Sequence, residues 1–505
     1  MSARALLVAL VLLAARVAVA EETTAAPSAP TPPPVAAPAD APPPSAPVDP
    51  EIFTEALADF HAQRYESAAA GFYGYLHFGG PTVENYEWSQ FFLAESLAAL
   101  GLWHAAVQYY TTVAKTRSQP EVLPEALARL EEVSRTRPFD EWLVDETLLY
   151  DSELGALPDT LHDWVHYVQG LEDLRHGFAG WSQAHFDAIH PGSHYALAAA
   201  YAQAVSALEA KKTGAALAQL RAVADSPIDA PETKNQANLA VARLLFEKDQ
   251  LDEAAAYYAR VKQIDLSFQQ AQLLIEKAWT AYGQRDFKKA MGLLHALDAP
   301  SYAGYILPDV YLLRGQIFRQ LCHFMLAKRT VRAFARKYDR PLRALYARRP
   351  MMEIDAIRDA AVQDGALARR AALVRTLAAE RRRIEDHDAA WEEVGLDEHL
   401  RRLYDFAQHA HERAMRPAFA AEAERIANNV LDAEEQIRLL DYEIGLDIFK
   451  RVKGGRPTRG PEEDLSVPYD SNNVYYELDG EYWNDELHDY QYFVTDRCFE
   501  GEASE

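Results

Sequence analysis

The residues that could do chemistry are few in kind. The run His-Ala-His-Glu at 409–412 sets two imidazoles two positions apart. On a helix these point to different faces, which suits a solvated surface better than a metal site. Cys322 and Cys498 are the only cysteines. They are able to pair in an oxidising compartment, but spacing alone leaves their proximity open. No nucleophile elbow, phosphate-binding loop, dinucleotide fingerprint, HExxH or CxxC pattern occurs. Asp and Glu are plentiful, yet no pattern opposes two of them across a cleft. The expectation is therefore a protein that is not an enzyme, with no catalytic residue, no cofactor and no metal.

The strongest constellation is electrostatic. Lys328, Arg329, Arg332, Arg336, Lys337, Arg340, Arg343, Arg348 and Arg349 gather positive charge in a chain of formal charge −25. Residues 461–505 carry 14 acidic residues against one Arg, with nine aromatics among them. A disordered acidic segment has few aromatics, so this one needs a surface to cover. Trp483, Leu487, Tyr490 and Val494 share a helical face, which predicts a short amphipathic helix after a turn at Asp479 and Gly480. Docking on Arg329, Arg332 and Arg336 is the expectation, and a merely solvated cationic face is the alternative. In the first case a Cys322–Cys498 bridge would staple the tail.

The elements that position these groups are helical. From Ile52 to about Tyr346 apolar residues recur at i, i+3, i+4 and i+7, and no alternating strand stands out. A pattern then repeats: Gly315, Phe324, Ala327, Val331 and Phe334 match Ala278, Phe287, Ala290, Leu294 and Leu297, and Ala242, Leu251, Ala254, Tyr258 and Val261. Ala94, Trp103, Ala106, Tyr110 and Val113 give a further copy. Tyr65, Ala68, Phe72 and Tyr75 give part of one, and weaker copies fill 170–189 and 204–220. The stretch near 135–160 departs from the pattern. Small residues let two helices approach, and each hairpin leaves a face for the next, so the units should stack into a solenoid.

These residues resemble the tetratricopeptide repeat family over roughly 52–346. The resemblance implies an all-α, tetratricopeptide-like helical-hairpin solenoid, followed by a long helical hairpin and an acidic aromatic tail. It also implies a concave groove lined by Gln236, Arg243, Trp279, Tyr282, Gln316 and Arg319, with Trp279 and Tyr282 alternatively in the core. The clamp of family members that bind chaperone tails is missing, because Leu239, Ile275 and Leu312 stand where Lys is needed.

The remaining boundaries follow composition. Residues 1–20 have a basic residue, an apolar run and a small-x-small end, the pattern of a cleaved signal peptide. Residues 21–50 are a Pro/Ala-rich linker and 51–346 the repeat array. Residues 347–453 are a coiled-coil-like hairpin, and 454–505 the tail. In the hairpin, Ile426, Val430, Ala433, Ile437, Leu440 and Ile444 form a seam expected to pair with the Arg-rich helix near 366–394, and Pro417 is expected to break or kink the helix between. The acidic charge disfavours nucleic acid and anionic membranes, and no segment predicts direct membrane insertion. The expectation is a periplasmic protein–protein interaction scaffold of the bacterial cell envelope. The architecture also resembles periplasmic repeat proteins of myxobacterial gliding-motility and spore-coat export systems. That implies envelope partners, outer-membrane barrel proteins among them, in a motility or surface-polysaccharide export machine. The alternative is a solenoid that binds or cleaves peptidoglycan or exopolysaccharide, with aromatics stacking on sugars.

Overall fold

The computed structural model describes residues 49–117, 119–149, 154, 157–262, 267–363, 365–454, 480–483 and 486–498. The expected signal peptide and nearly all of the linker lie outside the described residues, as do 455–479 and 499–505 of the expected tail. Among the described residues every regular element is a helix.

Helices α1 (Pro50–His61) and α2 (Tyr65–Gly79) form a hairpin, as do α3 (Tyr86–Ala99) and α4 (Trp103–Thr116). Next come α5 (Leu123–Thr136) and α6 (Glu141–Leu149), at the place where the sequence pattern lapses. The series resumes with α7 (Asp159–Arg175) and α8 (Ala179–Ala188), α9 (His194–Glu209) and α10 (Thr213–Ala224), and α11 (Pro231–Glu247) and α12 (Leu251–Arg260). It ends with α13 (Phe268–Gly283) and α14 (Phe287–Ala296), then α15 (Asp309–Gln320) and α16 (Phe324–Tyr346).

Seven corners share one construction. Two positions before each second helix stands a residue with positive φ: Gln63, Gly101, Gly177, Lys211, Asp249, Arg285 or Cys322. The following N–H reaches back to the carbonyl five residues earlier, as from His323 to Phe318 at 2.8 Å and from Asp286 to Ala281 at 2.9 Å. This Schellman closure satisfies carbonyls that a helix end leaves open. Around each corner two small residues stand twelve positions apart: Ala56 and Ala68, Ala94 and Ala106, Gly170 and Ser182, Ala204 and Ala216, Ala242 and Ala254, Ala278 and Ala290, Gly315 and Ala327. All are buried, so the weak copies fall in register with the strong ones. At Gly170 an added Cβ would lie 2.5 Å from the Phe186 ring, which explains glycine at that crossing.

The described residues divide into two compact units, which do not follow the sequence boundaries. One holds residues 49–234 and 365–418, the other 235–364 and 419–498. After α17 (Asp355–Ala361) come the helices α18 (Gly365–Arg383), α19 (Asp388–Trp391) and α20 (Leu396–Lys453). In the first unit α18, α19 and the start of α20 add Leu377, Trp391, Leu396, Leu400 and Tyr404 to a core built on Phe72, Leu93, Leu97, Tyr110 and Leu127. Trp391 donates its indole N–H to the Glu66 carbonyl at 3.1 Å. Glu380 accepts from the His104 amide at 2.9 Å and the Tyr404 hydroxyl at 2.6 Å, capping the first turn of α4.

Two expectations about α20 are corrected. The expected break at Pro417 does not occur: the helix continues through it as one 58-residue element, since a proline removes one main-chain hydrogen bond and packed flanks outweigh that loss. The Arg-rich helix α18 contributes Leu373 and Leu377 to the core of the first unit. Val430, Ala433, Ile437, Leu440 and Ile444 instead join the core of the second unit, with Trp279, Leu313, Ile317 and Phe334. A seam specifies an apolar stripe but not what covers it.

Candidate interaction surface

In the second unit most of the residues expected to line a groove already have partners in the same chain. Gly315 lets α20 approach α15: a Cβ there would lie 2.7 Å from Leu440 Cδ2. Arg319 donates to Asp447 at 2.7 Å and to Glu443. Arg243 grips the Glu276 carboxylate through Nη2 at 2.7 Å and Nε at 3.0 Å, and the Tyr258 hydroxyl donates to the same carboxylate at 3.0 Å. Burial, with Glu276 adjacent, holds the Tyr258 hydroxyl protonated far above the ordinary tyrosine range. Trp279 is buried and packs edge to face on Tyr282 at 5.7 Å. Gln316 is half-buried and Gln236 exposed. Four of the six thus hold the chain's own structure together.

The described part of the tail is a strap rather than a helix. It has one turn, Glu486–Asp489, followed by irregular backbone through Arg497. Gly480, with φ +96°, begins it as a bend. Leu487 is fully buried in the core of this unit, and Tyr482, Tyr490 and Val494 pack against that core. The strap donates main-chain N–H groups to carbonyls of the hairpins. The Tyr492 amide donates to Lys288 O at 3.1 Å and the Arg497 amide to Leu321 O at 3.1 Å. It crosses α14 where a Cβ on Gly292 would lie 1.7 Å from the Tyr490 carbonyl oxygen. His295 sits among the rings of Tyr482, Tyr490 and Tyr492. Trp483 stays partly exposed, its amide donating to the Tyr490 hydroxyl at 3.1 Å.

The cations that meet the strap are not those expected. His488 lies 3.2 Å from Gln270 Nε2 and 3.3 Å from Lys277 Nζ, and Arg451 donates to Arg497 O at 2.9 Å. Burial, with Lys289 nearby, lowers Lys277 to about 8. Arg329, Arg332 and Arg336 are exposed, and no ion pair among the described residues joins them to the strap. The strap is stapled by a Cys322–Cys498 disulfide with Cα atoms 5.1 Å apart. In the first unit, His411 corrects the solvated reading of 409–412. It is buried, 2.9 Å from Asp140 Oδ2, and stacked on Trp142 at 4.5 Å.

What stays open is the outer face of α20. Leu439, Tyr442, Leu446, Phe449 and Val452 are 39–64% exposed. Their spacings of three and four form a stripe opposite the buried Ile437, Leu440 and Ile444. This second stripe was readable in the sequence, since it runs out of phase with the first. No family model matches the chain, and no curated protein or solved structure matches it.

Proposed function

We propose that the chain is a non-enzymatic, periplasmic protein–protein interaction scaffold of a bacterial envelope complex. The observation that carries this reading is the exposed stripe on α20. Five large apolar side chains along one helical face fit a helix or groove of a partner protein. The Cys322–Cys498 bridge supports an oxidising compartment. The small pairs at twelve-residue spacing support membership of the tetratricopeptide repeat family. The finer reading is a motility or surface-polysaccharide export machine with outer-membrane barrel proteins as neighbours. Among the described residues no helix is long and apolar enough to cross a membrane.

The test is photo-crosslinking in the native cells from probes at Tyr442 and Phe449, against a control probe at exposed Glu398. Expected are discrete protein adducts from the stripe only, reduced at least tenfold when the other stripe residue of the pair is changed to Asp. No adducts, or adducts indifferent to that change, would overturn the reading. A carbohydrate-binding solenoid is the second reading, favoured by Phe178 and Trp181, both more than half exposed with rings 5.3 Å apart. Retention on peptidoglycan that disappears in Trp181→Ala would select it.

A further inference from the structure

The first unit gathers histidines where α7 meets the loop after α8. His162 and Asp163 lie in the first turns of α7, and His190 follows the end of α8. Asp163 Oδ1 is 2.8 Å from His190 Nδ1 and 3.5 Å from His162 Nδ1, and it accepts the His190 backbone N–H at 3.0 Å. One donor atom from each of the three lies within 4.8 Å of the others. A tetrahedral ion about 2.0–2.1 Å from nitrogen and oxygen donors needs them roughly 3.3 Å apart. The two Asp163–histidine separations, 2.8 and 3.5 Å, bracket that value.

The surroundings suit an ion held at the surface. The Asp163 side chain is 5% exposed and forms the floor, while His162 and His190 are 34% and 53% exposed and form the rim. The rim leaves a fourth position to water. The loop bearing His190 runs into Pro191 and Gly192 rather than a helix, so its ring can shift by the few tenths of an ångström required. Behind the rim, His166 stands one turn along α7, with its ring 4.3 Å from that of His162. The Nδ1 atoms of His166 and His185 are 3.0 Å apart, and Asp173 Oδ2 lies 3.7 Å from His185 Nε2. This row of rings fixes the flank of His162, as outer-shell groups fix metal-bound imidazoles.

We infer that His162, Asp163 and His190 bind a divalent transition-metal ion, with Zn2+ as the fitting case, in a three-ligand site that ties α7 to the loop after α8. Two imidazoles and one carboxylate select zinc, copper or nickel over magnesium and calcium, whose sites are built from oxygen.

The test uses the untagged full-length protein, stripped with chelator and titrated with Zn2+ against a chromogenic competitor, with bound metal counted by mass spectrometry. One zinc per chain is expected. His190→Ala and Asp163→Asn should each weaken binding at least tenfold, His162→Ala/His190→Ala should abolish it, and His409→Ala should leave it unchanged. His190 is half exposed, so His190→Ala separates lost ligation from lost folding, and far-ultraviolet circular dichroism checks the rest. No zinc bound by the wild type at micromolar concentration would overturn the assignment. So would a double variant that binds as the wild type does, or binding lost only in His166→Ala/His185→Ala.

Discussion

At the scale of residues, Gly292 and Gly445 are both helical glycines with opposite surroundings. An alanine at Gly445 meets nothing within 4 Å. Replacing glycine in an exposed helix interior recovers roughly 0.5–1 kcal/mol of backbone entropy. Gly445→Ala should therefore raise the unfolding midpoint. At Gly292 the same methyl would sit 1.7 Å from Tyr490 O and 2.8 Å from Gln491 Cα, both main-chain atoms. The strap must move, at about 1–3 kcal/mol for such overpacking, which exceeds the helix gain. Hydrogen exchange at the Tyr492 amide, bonded to Lys288 O, reads this directly. Gly292→Ala should speed it about tenfold or more and Gly445→Ala leave it unchanged; equal protection in both would mean the strap does not bear on α14.

At the scale of elements, the sequence showed what is local and hid what is distant. Gly315 and Ala327 announce a hairpin because both lie within one αα unit. Gly170 and Ser182 announce one weakly, because Ser182 is polar and their corner falls in a stretch rich in histidine. Five of the seven left-handed corners use a side-chain-bearing residue, so glycine punctuation under-marks them. The seam on α20 was legible as apolar, but its cover was not, since periodicity carries no address. His162 and His166 share a face of α7, yet His190 joins them only through the hairpin. The cysteines are the same case, 176 residues apart and joined. Bridging so long a segment restricts the unfolded chain, typically by roughly 2–4 kcal/mol. Reduction, or Cys322→Ser/Cys498→Ser, should lower the urea midpoint and open residues 491–498 to protease before the hairpins. Leu487 stays buried independently, so its surroundings should hold. An unchanged midpoint would show that the strap's other contacts suffice.

For the whole molecule, acidification acts in two opposed ways. The chain carries 76 acidic and 51 basic residues, so protonating its histidines relieves self-repulsion and favours the compact state. Buried histidines do the reverse. His104 is held to about 4 by burial and neighbouring His411, against the pull of Asp140. His399 is held to about 4 by burial, Arg402 and His77, with the rings of Tyr73 and Tyr109 beside it. Their unfolded values lie near 6.5, so between pH 6.5 and 4 the unfolded chain binds the extra protons and stability falls as pH falls. At pH 5 this amounts to about 2 kcal/mol for a fully buried histidine, and less for half-buried His399. Such local terms outweigh a diffuse surface field that salt screens beyond about 10 Å at 0.1 M. The melting temperature should therefore drop from pH 7 to 5, and drop further in 0.5 M NaCl, where relief of repulsion no longer compensates. His104→Leu and His399→Gln should each flatten the profile, whatever they do to stability at pH 7. If both variants kept the wild-type slope, buried histidines would not be its cause; Asp140 and Asp405, whose partners hold them below the ordinary range, lose their contribution only as the pH falls below the ordinary carboxylate range of about 4, outside this window.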